Sequence, residues 1–268
     1  MKKDYHLHPQ IMTKPEQFEQ FVQAAKANGV EELCITDHMP LMGDDASDRI
    51  PHGKVAQYCR RVQQIQEEYR GIIRVKCGIE IDYYPTVLDQ MEAVLREGEF
   101  DFVLGSSHLH VIDQLNGPSR VDIFANAKTH NGYAKAMFEN TVAAIKSGYF
   151  NAISHIDMHR WIFANPDRFP LRDDGYAEQL HKERIEKVLE AIKEKGLRLE
   201  INPHFAIGTG KPENLYPNVP IVKMALEKGV LFSFGSDAHT AEDVGGMLDY
   251  LRQHEVYAQA LKTWEEDV

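Results

Sequence analysis

The feature that most restricts the fold of this chain is a rhythm. Short apolar runs that read as buried β-strands alternate with longer stretches of helical periodicity. The strand-like runs are KDYHLH (3–8), EELCITDH (31–38), IRVKCGIEIDY (73–83), FDFVLGSSH (100–108), FNAISHID (150–157), LRLEIN (197–202) and VLFSFGSD (230–237). The helical stretches cover 13–30, 55–69, 86–96, a long one ending at Ser147, 176–195, 219–228 and 244–255. In the first of them Phe18, Phe21, Val22 and Ala25 share one stripe, and Gly29 ends it. The stretches 42–53, 113–120 and 165–174 read as loops. Successive β-α units favour a parallel sheet with helices outside. Seven of them within 268 residues point to an α/β fold whose sheet is a closed or nearly closed barrel.

In such a barrel the C-terminal ends of all strands meet at one face, where active sites lie. His6 and His8 end the first strand, one residue apart and so on the same side of it. His38 follows the second, Glu80 ends the third, and His108 and His155 end the fourth and fifth. Asn202 and His204 follow the sixth; Asp237 and His239 follow the seventh. Of 13 histidines, seven fall in these places. Strand ends make up roughly a tenth of the chain, so chance would put about one there. Imidazole with carboxylate is the ligand set of zinc, manganese and iron. The donors exceed what one tetrahedral centre needs, so two or three divalent transition-metal ions are expected, with Glu80 suited to bridge a pair. Two ions about 3.5–4 Å apart can hold a hydroxide nucleophile and clamp a phosphoryl group.

Arg49 and Arg160 also follow strand ends, and a guanidinium fork suits phosphate. Lys211, in the loop after the sixth strand, is a weaker candidate. His204 is open to three roles: metal ligand, substrate contact or loop residue. His52, His110 and His159 are expected at the surface, and His130, His181 and His254 on solvated helix faces. A net charge of −11 argues against long nucleic acid and anionic membranes. A small anionic ester is not excluded, because bound cations reverse the local sign. Three cysteines without a Cys-x-x-Cys pair support no disulfide framework; Cys34 and Cys77, in apolar strand-like runs, read as buried thiols, which suits a reducing cytoplasm. No apolar run of about 18 residues and no leader pattern occur, so neither a membrane span nor export is expected.

Taken in order, HLH, TDH, GIE, GSSH, SHID and GSDAH resemble the polymerase and histidinol phosphatase (PHP) family over nearly the whole chain. The context EIDYYP and GSSH is most similar to its histidinol-phosphate phosphatase branch. The resemblance implies a distorted, TIM-like (β/α)7 barrel, a single PHP-type hydrolase domain over 1–268. It implies a metal-dependent phosphomonoesterase acting on a small phosphate ester, histidinol phosphate first among them. By the same analogy His6, His8, Glu80 and Asp237 would hold a first ion, Glu80, His108 and His155 a second, and His38 and His239 would help hold a third. Asp37 would orient a ligand or the chain beside it, and would join Glu80, Asp237 and His239 as the catalytic group. Arg49, Arg160, His204 and Lys211 would face the substrate. The wider family leaves two alternatives: a phosphodiesterase of nucleotides or short oligonucleotides, and a non-catalytic, metal-stabilised module. The chain departs from the family twice. HLHPQIMTK lacks the further histidine usual after His-x-His, and EINPHF replaces Glu-x-Asn-Thr-Ser-Gly. The first departure predicts a weaker third ion; the second alters the substrate wall.

Overall fold

The computed structural model describes residues 1–39, 41, 49–108, 128–176 and 178–266. The strands are β1 (Lys3–Leu7), β2 (Glu32–Ile35), β3 (His38–Met39), β4 (Arg74–Asp82), β5 (Phe102–Ser106), β6 (Ala152–Ile153), β7 (Arg198–Ile201) and β8 (Leu231–Phe234). They pair in parallel in the order β1-β2-β4-β5-β6-β7-β8, with β3 beside β4. The second strand expected from the sequence is thus two segments, β2 and β3. It breaks at Thr36 and Asp37 because both side chains serve the neighbouring chain. Leu7 N–H donates to Thr36 Oγ1, and Gln10 and Ile11 N–H donate to the Asp37 carboxylate. The curled sheet meets itself beyond β8: Leu7 bridges Ala238, Asp237 N–H donates to the His6 carbonyl and His8 N–H to that of Ala238.

The helices are α1 (Phe18–Ala27), α2 (Val55–Glu68), α3 (Leu88–Glu97), α4 (His130–Ser147), α5 (His159–Phe163), α6 (Glu178–Lys195), α7 (His204–Thr209), α8 (Val219–Glu227), α9 (Leu248–Gln253) and α10 (Glu255–Glu265). The α1 stripe of Phe18, Phe21, Val22 and Ala25 is buried, as its spacing requires. Thr129 caps α4 by accepting from Gly132 N–H, and Gly148 ends it at φ +79°, where a side chain would be strained. All three cysteines are buried. Among the described residues no helix is long and apolar enough to cross a membrane. The loop 113–120, His110 and most of 42–53 lie outside the described residues.

Two expectations change. The sequence reading stopped at residue 255, yet α10 follows and buries Tyr257, Ala260, Leu261 and Trp264. Charges at Glu255, Lys262, Glu265 and Glu266 hide that stripe. Trp264 closes the bottom of the barrel, edge-on to Tyr5 at 4.8 Å. His159 and His181, expected at the surface or solvated, are 2% and 0% exposed. They lie in an aromatic layer between α4, α5 and α6. His159 Nε2 sits 2.8 Å from the Tyr176 hydroxyl, and His181 stacks on the Tyr176 ring at 4.5 Å. His52 is exposed as expected, while His130 and His254 are half-buried.

Burial, helped by Arg160 and His181, pushes His159 down to about 3. The folded chain therefore keeps it neutral while the unfolded chain protonates it near pH 6.5. Stability is full above that value and is lost as pH falls from about 6.5 toward 3, by about 2 kcal/mol at pH 5 from this group. His159→Gln should flatten the fall in denaturant midpoint between pH 7 and pH 5. An unchanged slope would show that other groups carry the acid sensitivity.

Candidate metal centre

His6 and His8 project together from the end of β1, and both are buried. Closure of the sheet brings Asp237 to them, and β4 brings Glu80. His8 Nε2 lies 3.1 Å from Asp237 Oδ1 and 3.5 Å from Glu80 Oε2; His6 Nε2 lies 3.6 Å and 3.4 Å from the same atoms. Four nitrogen and oxygen donors tetrahedral about a zinc-like ion stand about 3.4 Å apart, so the spacing matches. His6 Nε2 and His8 Nδ1 are buried without a hydrogen-bond partner. Buried polar atoms are seldom left so. The donor set and its orphaned atoms fit a cation.

Glu80 turns its other oxygen to a second group. Its Oε1 is 3.2 Å from His155 Nε2 and 3.6 Å from His108 Nε2. A third group lies on the Oε2 side. His38 Nδ1 is 2.6 Å from Glu80 Oε2, and His8, His38 and His239 bring donor atoms within 4.8 Å of one another. The histidine absent after His-x-His is thus partly replaced by His8, whose ring stacks on His38 at 3.9 Å. His204, Asp237 and His239 form a further set within the same distance.

Charge and burial oppose each other here. Burial pushes Glu80 up, but His108, His6 and His38 outweigh it and hold the carboxyl well below its usual range. Asp237 is likewise held down, by His6 and His204 against burial. Burial together with His38 and His239 drives His8 well below the ordinary imidazole value, leaving it neutral with a lone pair to offer. Burial would lower His108 too, yet Asp82 and Glu80 lift it to about 9. A proton held in that way is one that a bound cation displaces.

Three carboxylates that brace the site were not singled out from the sequence. Asp82 accepts from His108 N–H at 2.7 Å and lies 3.2 Å from His108 Nδ1. Asp4 accepts from Ser236 N–H and Gly245 N–H, clamping β1 to the segment that carries Asp237. Glu200 sits beneath His6, 2.5 Å from its Nδ1. The signal was partial: Asp4 and Glu200 are charges at buried strand positions, while Asp82 is half-buried at the end of β4.

The expected substrate residues divide. Arg49 lies at the rim, its backbone bridged to His38. His204 is exposed at the start of α7, and Lys211 is exposed beyond the end of that helix. Arg160 is a correction. Its Nε pairs with Asp157 at 2.9 Å, and its two terminal nitrogens donate to the carbonyls of Glu213 and Leu215. Its fork ties α5 to the loop after α7 rather than waiting for an anion. Asp37 orients the chain beside it: its oxygens accept from the Gln10 and Ile11 amides and so shape the turn after His8.

A profile of the PHP domain matches residues 4–204. It ends before Asp237 and His239, which the barrel nonetheless brings to the site. A Deinococcus radiodurans protein named "Probable histidinol-phosphatase" is 31% identical over 228 residues, 84% of this chain and 81% of that one. The histidinol-phosphatase of Lactococcus lactis is 23% identical over 246 residues, 90% of this chain and 86% of that one. The crystal structure of the Lactococcus lactis histidinol phosphate phosphatase, complexed with zinc, L-histidinol and phosphate, superposes with a TM-score of 0.70. That match has 21% identity and covers 97% of this chain and 93% of that one.

Proposed function

The chain belongs to the PHP domain family, and we infer that it is a metal-dependent phosphomonoesterase of the histidinol-phosphatase kind. The observation that supports this best is Glu80, one buried carboxylate with an oxygen turned to each of two histidine groups. In this reading His6, His8, Glu80 and Asp237 hold one divalent ion of the zinc, manganese or iron class, and Glu80, His108 and His155 hold a second. His38 and His239, with His8 beside them, hold a third. Such ions, when bound, neutralise phosphoryl oxygens and acidify water.

The chain's own residues do the rest. Asp82 and Glu200 fix the rings of His108 and His6, so the donor atoms keep their spacing without ligand. Asp37 and Thr36 pin the turn after His8. Arg49 stands at the rim beside His38, where a guanidinium can grip a phosphate oxygen. His204 stands near Asp237 and His239, on the stretch EINPHF where this chain departs from its family, and so faces the alcohol part of the ester. A small substrate, histidinol phosphate above others, suits these few polar contacts.

The test is a steady-state survey of phosphomonoesters with zinc-, manganese- and iron-loaded protein. Histidinol phosphate should be hydrolysed well above metal-free background. No activity on any monoester, or faster release of nucleotides from a short oligonucleotide, would overturn the assignment. Within it, Arg49→Ala should lower kcat/KM by about 10–150-fold, the loss of one charge-assisted contact, with metal content unchanged. Unchanged kinetics would remove Arg49 from the substrate and leave Lys211 or backbone amides to hold the anion.

A further inference from the structure

We propose that Glu200 is a positioning residue that couples the first two donor groups through a single carboxylate. It lies in β7 between Leu199 and Ile201 and is 1% exposed. Its Oε1 is 2.5 Å from His6 Nδ1. An ionised carboxylate only accepts, so the proton of His6 sits on Nδ1 and the lone pair on Nε2. Nε2 is the atom that faces Glu80 and Asp237 without a hydrogen bond. The other oxygen of Glu200 accepts from His155 N–H at 3.2 Å and from Asn202 Nδ2 at 3.0 Å.

That second contact reaches the other donor group. His155 has φ +21°, a conformation a non-glycine residue holds only when its surroundings impose it. The bond from its N–H to Glu200 is one such restraint, and it aims the ring at Glu80. Asn202 extends the link, since its Nδ2 also lies 3.2 Å from Asp237 Oδ2 and its Oδ1 accepts from His204 N–H. Gly235 makes the arrangement possible. A Cβ there would stand 2.2 Å from His6 Cβ and 2.6 Å from Glu200 Oε1, so only glycine lets β8 lie this close.

The consequence is specific. A carboxylate serves three donors at once, whereas an amide of the same shape has one acceptor oxygen. Glu200→Gln can therefore satisfy His6, or His155 with Asn202, but not both. Asp82 offers the contrast: the metal-facing histidine it holds is His108, through both its backbone N–H and its ring.

The inference rests on the reading that these donors hold metal ions, and the experiment separates the two. Metal-stripped wild type, Glu200→Gln and Asp82→Asn are titrated with manganese by calorimetry, and the unfolding temperature of each stripped protein is measured. Glu200→Gln should weaken both tight sites together, each by about 10–100-fold, and Asp82→Asn only one. The stripped Glu200→Gln protein should melt within a few degrees of stripped wild type. Wild-type affinities in Glu200→Gln, or weakening of one site only, would overturn the proposal. So would a lower stripped melting temperature with unchanged affinities, the mark of a mere strut. If Glu200→Gln does not fold, Gly235→Ala presses on the same contact with the carboxylate intact; it too should weaken both sites, and unchanged affinities there would count against the coupling. A wild type that takes up no ion would instead refute the metal reading itself.

Discussion

Replacing Glu80 with glutamine should lower kcat/KM by about three orders of magnitude and leave the purified protein with fewer than two tightly bound ions. Five histidines face this side chain: His6, His8 and His38 on one oxygen, His108 and His155 on the other. Glutamine keeps the shape but loses the charge and one acceptor. A donor shared by two cations is weakened for both, and several kcal/mol of charge stabilisation at the phosphoryl group go with it. The fold should survive, because glutamine keeps the volume of the side chain within a large packed interior. Circular dichroism would establish the fold, and metal analysis with steady-state kinetics would establish the rest. Activity within tenfold of wild type would show that Glu80 does not join the two groups.

Stripping the ions should cost more stability than any single substitution proposed here. A ligand held at a thousand times its dissociation constant stabilises by about 4 kcal/mol. Two such ions contribute about 8 kcal/mol, and a chain of this size loses about 2–4 °C per kcal/mol. Exhaustive chelation should therefore lower Tm by roughly 15–30 °C, and re-addition of zinc or manganese should restore it. Milder dialysis should retain two equivalents and release the third. His8 and the Oε2 atom of Glu80 already face the first group, so the ion beside His38 and His239 has fewer donors of its own. Three equivalents retained with equal resistance would mean that His204 completes that site. A Tm unmoved by chelation would show that the donors are held apart by the fold alone.

The barrel and the inner donors were legible because their signals are local. A His-x-His pair at a strand end needs only the two-residue repeat of a strand to point both rings the same way, and parallel pairing gathers the rest. The carboxylates beneath them were harder to see. Glu200 and Asp82 act on rings far away in the chain, and nothing in LEI or EID says which ring each will meet. Arg160 misled for a related reason. Its place after β6 is right for an anion, but the loop carrying Glu213 and Leu215 folds back over it, and that return is invisible in the sequence. His159 and His181 look like helix-surface residues until Tyr176 and Phe138 close over them.

The clamp between Asp4 and Ser236 joins residues 232 positions apart, and it closes the sheet at the point where His6 and His8 meet Asp237. During synthesis the two histidines leave the ribosome well ahead of Asp237, one of their two carboxylate partners. Until Asp237 emerges the first group has its two imidazoles and Glu80 but lacks its second carboxylate. Completion of the first group is thus deferred until the segment after β8 has been made. A product cut short ahead of Ser236 would lack both the clamp and Asp237, and its first donor group would stay incomplete. Occupancy of that first group would be a record that the ribosome had reached Asp237.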